Sequence, residues 1–314
     1  MIYKKRLIIL ISIIAALAAA YTVSIVSNYL LMNNRSSSYA WLDSKAAQRV
    51  TRIVINAEGQ DAELIKRNDQ WFVLHNDVEF PARQIRIDDF LSVLTTRSVL
   101  PVRSNSASNH SRFGVDEESA NRIVVYGEYS VLLDLLIGHE DIFRNELYFR
   151  KAGINEVRAG DNNIKVYLSG PLSSWYNLRL IPESEGGNFD LSNIQRLTVS
   201  NNTETQVFSR RNRMWEITGI DVVNPSINNI ENYIRAIVNL EGDDFSDSIS
   251  RDDPGLVNRL VLELGTGRVI TMRLSEADES GRIYAHVSGR DYIYSIPSWS
   301  AGRIFRSASS FETQ

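Results

Sequence analysis

Apolar and polar residues alternate in short runs along most of the chain, and twice a run with helical spacing interrupts them. Arg52-Ile53-Val54-Ile55 opens a first strand, residues 63–67 a second and Trp71-Phe72-Val73-Leu74 a third. Asn68-Asp69-Gln70 is too short a connection for anything but an antiparallel hairpin turn. Pro81 ends this strand section, and Ile87, Phe90, Leu91 and Leu94 then follow at i, i+3, i+4 and i+7, one apolar face of a helix. A Ser/Asn-rich loop (104–111) closes on Phe113-Gly114-Val115-Asp116. Strands are predicted at 122–126, 131–137, 147–150 and 165–168, the last running into Gly170-Pro171.

The same order then recurs. Arg67-Asn68-Asp69-Gln70-Trp71 returns as Arg211-Asn212-Arg213-Met214-Trp215, an offset of 215 − 71 = 144, and Ile53 and Ile55 answer to Leu197 and Val199 at the same offset. Strands are predicted at 195–199, 206–210 and 215–218. A helix face of Ile227, Ile230, Ile234, Ile237 and Val238 follows, with Asn224 or Ser226 as N-cap. Asn121-Arg122-Ile123 reappears as Asn258-Arg259-Leu260, Tyr148 and Gly153 as Tyr284 and Gly289, and Tyr294 and Pro297 echo Tyr167 and Pro171. A repeat of this length is a duplicated domain. The predicted fold is α+β: an N-terminal transmembrane helix, then two tandem repeats of an antiparallel sheet packed against one helix. The expected boundaries are 1–32 for a cytoplasmic tip and anchor, 33–48 for a spacer, 49–182 for the first repeat, 183–190 for a linker and 191–314 for the second repeat.

Charge enters the argument first at the N-terminus. Lys4, Lys5 and Arg6 precede an uncharged, largely apolar stretch from Leu7 to Val26, about the length that crosses a hydrocarbon core as a helix. The basic cluster keeps the N-terminus in the cytoplasm, which predicts a single-pass inner-membrane protein with its bulk periplasmic or otherwise extracytoplasmic. A cleaved signal peptide ending at Ala18-Ala19-Ala20 is the alternative, and it exports the same residues. The polar Asn33-Asn34-Arg35-Ser36-Ser37-Ser38 reads as a flexible spacer.

The remainder is of ordinary globular composition, 43% hydrophobic and 23% charged, with a formal net charge of −4. Nothing basic enough to follow a phosphate backbone stands out, so nucleic acid is not an expected partner. The absence of cysteine removes disulfides, thiolate metal sites, a thiol nucleophile and a lipid anchor on Cys.

Candidate chemistry is sparse. The four histidines (His75, His110, His139 and His286) lack the i, i+4 spacing of a helical zinc site. His139-Glu140-Asp141 is the densest polar cluster and reads most simply as a solvated turn. Asp243-Asp244, Asp252-Asp253 and Glu241 lack the ligand spacing of a calcium loop. Asp278-Glu279-Ser280-Gly281 and Gly265-Thr266-Gly267 read as hairpin turns, the latter without the following helix a phosphate site needs. Trp71 and Trp215, each directly after a hairpin, suit packing better than sugar stacking, and Arg67 and Arg211 suit strand-end charges. No catalytic, cofactor or metal residue is assigned. Trp71, Trp215, Arg67, Arg211, His139 and Glu140 remain as a candidate interaction surface.

Taken together, I-x-I, R-x-x-x-W-x-V, D-x-F-L-x-x-L, F-G-V-D and Y-x-R behind a membrane anchor resemble an uncharacterised bacterial exported domain, a domain of unknown function whose genes lie beside those of gliding-motility-type ABC transporters. The resemblance covers essentially the whole chain and carries no catalytic residues. It implies a non-enzymatic envelope protein, an accessory or scaffold of an ABC-transporter-type complex whose partners are the membrane and the transporter's membrane subunits. The alternative is a module holding a glycan or peptide between the two repeats. The chain departs from the pattern at Gly138-His139-Glu140, where a small residue is expected after the Gly and where the second copy has Leu274-Ser275-Glu276. Binding at that turn is therefore expected only in the first copy.

Overall fold

A computed structural model describes residues 21–22, 38–181, 191–212 and 214–313. They form two compact units that divide between Trp175 and Tyr176. The expected linker at 183–190 and, apart from Tyr21 and Thr22, the expected anchor lie outside the described residues. Among the described residues no helix is long and apolar enough to cross a membrane.

In the first unit, β1 (Val50–Ala57), β2 (Gln60–Arg67), β3 (Gln70–His75) and β4 (Val78–Pro81) run as a meander. The long helix α1 (Gln84–Thr95) and the short β5 (Val102–Ser104) follow. Then come β6 (Asn121–Gly127), β7 (Val131–Asp141), β8 (Glu146–Lys151) and β9 (Val157–Asp161). All pair antiparallel in one nine-stranded sheet, ordered β4-β3-β2-β1-β6-β7-β8-β9-β5. The second unit has β10 (Ile194–Ser200), β11 (Thr205–Arg211), β12 (Met214–Thr218), helix α2 (Ile227–Val238), β13 (Asp244–Ser246), β14 (Asn258–Leu264), β15 (Val269–Leu274), β16 (Ile283–Val287) and β17 (Ile293–Ile296). Its eight-stranded order, β12-β11-β10-β14-β15-β16-β17-β13, is the first with β4 removed.

The duplication extends to irregularities. The β1–β6 ladder slips between Val50 and Arg52, and the β10–β14 ladder between Ile194 and Arg196, again 144 residues on (194 − 50 and 196 − 52). Asn68 and Asp69 turn β2 into β3 with φ of 48° and 63°, both left-handed, as the tightest hairpin turns require. Asn212 repeats this with φ of 52°. Another likeness is inverted in sign. Arg103 Nη2 meets Glu146 Oε2 at 2.6 Å, whereas Arg282 Nη1 meets Asp243 Oδ1 at 2.6 Å, and 282 − 146 is 136.

The α+β expectation is corrected: the described residues are mainly β, 41% strand against 21% helix, in two antiparallel sheets. The hydrophobic pattern gave one helix per repeat the weight of a whole layer and overlooked strands at the margins. Pro81 is one reason. It lies inside β4, opposite Phe72, on an outermost strand where its missing N–H leaves no ladder bond unmade. The predicted strand at 165–168 is instead a 3₁₀ helix, Asn163–Tyr167, burying Ile164 and Tyr167 at a spacing of three. Tyr294 therefore does not correspond to Tyr167, because it lies in β17 opposite Ala285 and Phe245.

Helix α1 buries Ile87, Phe90 and Leu94 completely, with Phe90 edge-on to Tyr167 at 5.2 Å and to Trp175 at 5.8 Å. Removing such side chains from water contributes roughly 1.5–3 kcal/mol each. Trp41 and Leu42 are buried too, Trp41 against Phe149 at 5.0 Å, and Leu42 N donates to Leu94 O at 2.9 Å. Ser226 caps α2, its Oγ accepting from Asn229 N at 3.3 Å. Ile227 at the start of that helix is exposed, while Tyr233 is buried against Phe208 and Phe311 and donates its hydroxyl to Ile304 O at 2.6 Å. Burial raises that phenol's pKa above its ordinary value.

Candidate functional site

The six residues of the expected interaction surface do not come together. Trp71 and Trp215 are each second in their strands with their rings in the core, each 5% exposed. It is Arg210, not Arg211, whose guanidinium lies over the Trp215 ring, 6.0 Å from its centroid. Arg67 ends β2 in solvent, 3.7 Å from Glu79, and Arg211 ends β11 beside an open depression of about 650 Å³ that Arg196 and Glu263 also line. His139 and Glu140 sit on a bulge of β7, where the ladder to β8 slips between Ile137 and Glu140.

Gly138 lies within that bulge. A Cβ on it would stand 2.0 Å from Phe113 O and 2.8 Å from the Gly114 backbone, so the Phe113-Gly114 turn docks on the strand only because residue 138 has no side chain. Two residues on, the Glu140 carboxylate has partners on both oxygens. Lys165 Nζ pairs with Oε2, and Asn162 Nδ2 donates to Oε1 at 3.0 Å while also reaching Asn145 Oδ1 at 2.8 Å. The Lys165 and Asn162 bonds hold the carboxyl below its usual range.

The second unit has the same framework with its interior emptied. From Glu140, past the β7 bulge, through the segment after β9 the two copies run without insertion at an offset of 136: 276 − 140, 281 − 145, 284 − 148, 298 − 162 and 301 − 165. The backbone agrees, since Asn145 and Gly281 both take left-handed conformations, φ 54° and 77°. Glu276 thus stands for Glu140, Gly281 for Asn145, Ser298 for Asn162 and Ala301 for Lys165. All four border an open cleft of about 580 Å³. The rest of its wall comes from the β10–β11 turn (Asn201, Asn202 and Thr203), from Asn258 and Ser275, and from the apolar Ile283 and Phe305.

The cleft's polar rim is hydrogen-bonded. Asn202 Nδ2 donates to Glu276 Oε1 at 2.8 Å, Asn258 Nδ2 to Ser275 O at 3.1 Å, and Ser275 Oγ accepts from Tyr284 N at 2.9 Å. Glu276 is the one charged residue among those lining the cleft. Among the described residues, no ammonium or guanidinium lies within ion-pair distance of it.

Residues 71–258 match the family described as a domain of unknown function, DUF4340, which is more than half of the 314-residue chain. The chain belongs to that family. No curated protein and no solved structure matches it. The DUF4340 match opens at Trp71 in β3 and closes at Asn258, the first residue of β14, so it spans parts of both sheets.

Elsewhere in this DUF4340 chain, the acidic loops are spent on structure. Asp243 pairs with Arg282, Asp253 Oδ1 accepts from Gly255 N at 2.7 Å, and Asp278 accepts from Ser280 and Arg282 in a turn. Those turn bonds, that from the Ser280 side chain foremost, lower the Asp278 pKa. Among the described residues no group of three or more His, Asp or Glu is placed to hold a metal ion. The cleft escaped the sequence reading because its signal is subtraction: Lys, Asn and Asn replaced by Ala, Ser and Gly at one constant offset.

Proposed function

We propose that this protein is a non-enzymatic, extracytoplasmic component of an ABC-transporter-type envelope complex, and that it docks there through the hairpin tip between β7 and β8. One observation carries the reading. Ile142 and Phe143 at that tip are 82% and 103% exposed, while the second copy has Asp278 and Glu279 at the same offset of 136. Two adjacent large apolar side chains held out in water form a surface suited to a partner. Export is supported by the basic Lys4-Lys5-Arg6 ahead of an uncharged stretch of sequence and by the absence of cysteine.

The test is crosslinking in cells of tagged full-length chain, wild type beside Phe143→Ser. Recovery of transporter membrane subunits, reduced several-fold by the substitution, is the expected result. Recovery of the chain alone, or equal recovery from both proteins, would remove the docking role.

A second reading is favoured by the cleft: a ligand-binding module whose site lies within the second unit. Its volume falls in the range of roughly 300–1,000 Å³ typical of small-molecule sites, and it combines an apolar floor with a few oriented polar groups.

A further inference from the structure

The two copies treat one equivalent carboxylate differently. In the first, its partner is a lysine side chain that is itself 54% exposed. Lys165 Nζ seats on Glu140 Oε2, and Asn162 bridges the other carboxylate oxygen to Asn145. In the second, every group of that plug has been cut back to a residue too short to reach, Lys165 to Ala301, Asn162 to Ser298 and Asn145 to Gly281, yet the carboxylate stays as Glu276.

We infer that the cleft of the second unit binds a primary ammonium group on a short apolar stem, the ligand's cation taking on Glu276 the place that Lys165 takes on Glu140. This deepens, and rests on, the ligand-binding reading. Three details fit the chemistry. Asn202 holds Glu276 Oε1 at 2.8 Å and leaves Oε2 for an incoming donor, just as Asn162 leaves Oε2 of Glu140 to Lys165. Asn202 itself replaces Glu58 at the offset of 144, exchanging a carboxylate for an amide donor beside the acidic group. Ile283, Ala301 and Phe305 supply an apolar wall along which methylenes of the stem can lie, as lysine stems do on protein surfaces. A compact ammonium with three donors suits a single carboxylate ringed by amide and hydroxyl oxygens; a guanidinium favours a planar, two-pronged partner.

The probe is n-pentylammonium, read by saturation-transfer NMR on the full-length protein in detergent, with pentanol and pentanoate beside it. Selective, saturable transfer to the ammonium is expected, reduced at least tenfold in Glu276→Gln and unchanged in Glu140→Gln. Ala301→Lys supplies the plug in cis and should abolish the signal while raising the melting temperature. Glu276→Gln, isosteric and exposed, keeps the test sound if the lysine variant folds poorly. Nα-acetyl-lysine methylamide competing better than pentylammonium would identify a peptide lysine as the source, and the reverse a free amine. Pentanol binding as well as the ammonium, insensitive to Glu276→Gln but blocked by Ala301→Lys, would overturn the ammonium assignment and leave a binding cleft. No transfer to any of the three probes would overturn both.

Discussion

Gly138→Ala isolates the close approach of the Phe113-Gly114 turn to the first unit's bulge. The new methyl would lie 2.0 Å from Phe113 O, where even a weak C–H···O contact keeps its carbon at about 3.3–3.6 Å. The carbonyl belongs to the backbone, and Gly114 stands 2.8 Å away behind it, so no side chain can swing aside; strand and turn must separate by more than about 1 Å. Overpacking of this kind costs typically 1–3 kcal/mol, and the lack of a flexible neighbour places Gly138→Ala near the upper end, about 3 kcal/mol. For a unit of this size that is a fall in melting temperature of roughly 6–12 °C. Gly153→Ala is the control. Its φ of 75° is left-handed but nothing lies within 4 Å of the added Cβ, so it should cost only the intrinsic strain of about 1–2 kcal/mol. Chemical denaturation of the full chain, with fluorescence and circular dichroism as probes, gives both values. A Gly138→Ala protein no less stable than Gly153→Ala would refute the argument that docking of Phe113-Gly114 dictates the glycine.

Trp175→Ala removes a fully buried indole in contact with Phe90, with Tyr167 at 5.9 Å and with the Arg86 guanidinium at 4.7 Å; the expected loss is about 3–5 kcal/mol in the same denaturation assay. Burial pushes the Tyr176 phenol up to about 12 in the folded chain, with Asp244 and Asp247 adding to the shift. The unfolded chain ionises that tyrosine near pH 10, so its contribution is complete below pH 10 and is lost as pH rises from 10 through 12. Melting temperature against pH should therefore fall more gently over that window in Tyr176→Phe than in wild type.

Much of the architecture could be read because it depends on local rules. The Asn at 68 and 212 marks a turn that needs positive φ, and the spacing of Ile87, Phe90 and Leu94 matches what α1 buries. What stayed hidden depends on partners distant in sequence. The β5 and β13 strands are three residues long with two of the three polar, and they pair only on the edge that β9 and β17 offer. Val166 and Leu168 imitated strand alternation, but the core takes Ile164, Tyr167 and Leu168 and leaves Val166 in solvent. The cleft is harder still, since it is defined by contacts Ala301, Ser298 and Gly281 no longer make. The offset between the copies, 144 at β3, is 137 at β6 and falls to 136 only past the β7 bulge, which masks the correspondence in the sequence.

The reversed pair, Arg103 with Glu146 in one sheet and Asp243 with Arg282 in the other, bears on how such a chain avoids confusing its halves as it folds. Tandem copies of one topology are liable to exchange strands, each offering the other a template of matching shape. With the signs inverted, a strand annealed to the wrong sheet brings Glu146 toward Asp243, or Arg103 toward Arg282, and the resulting repulsion penalises the hybrid. The correct assembly pairs opposite charges in both places. Each half therefore carries an electrostatic mark of self, written at a position where the backbone alone could not tell sister from sister.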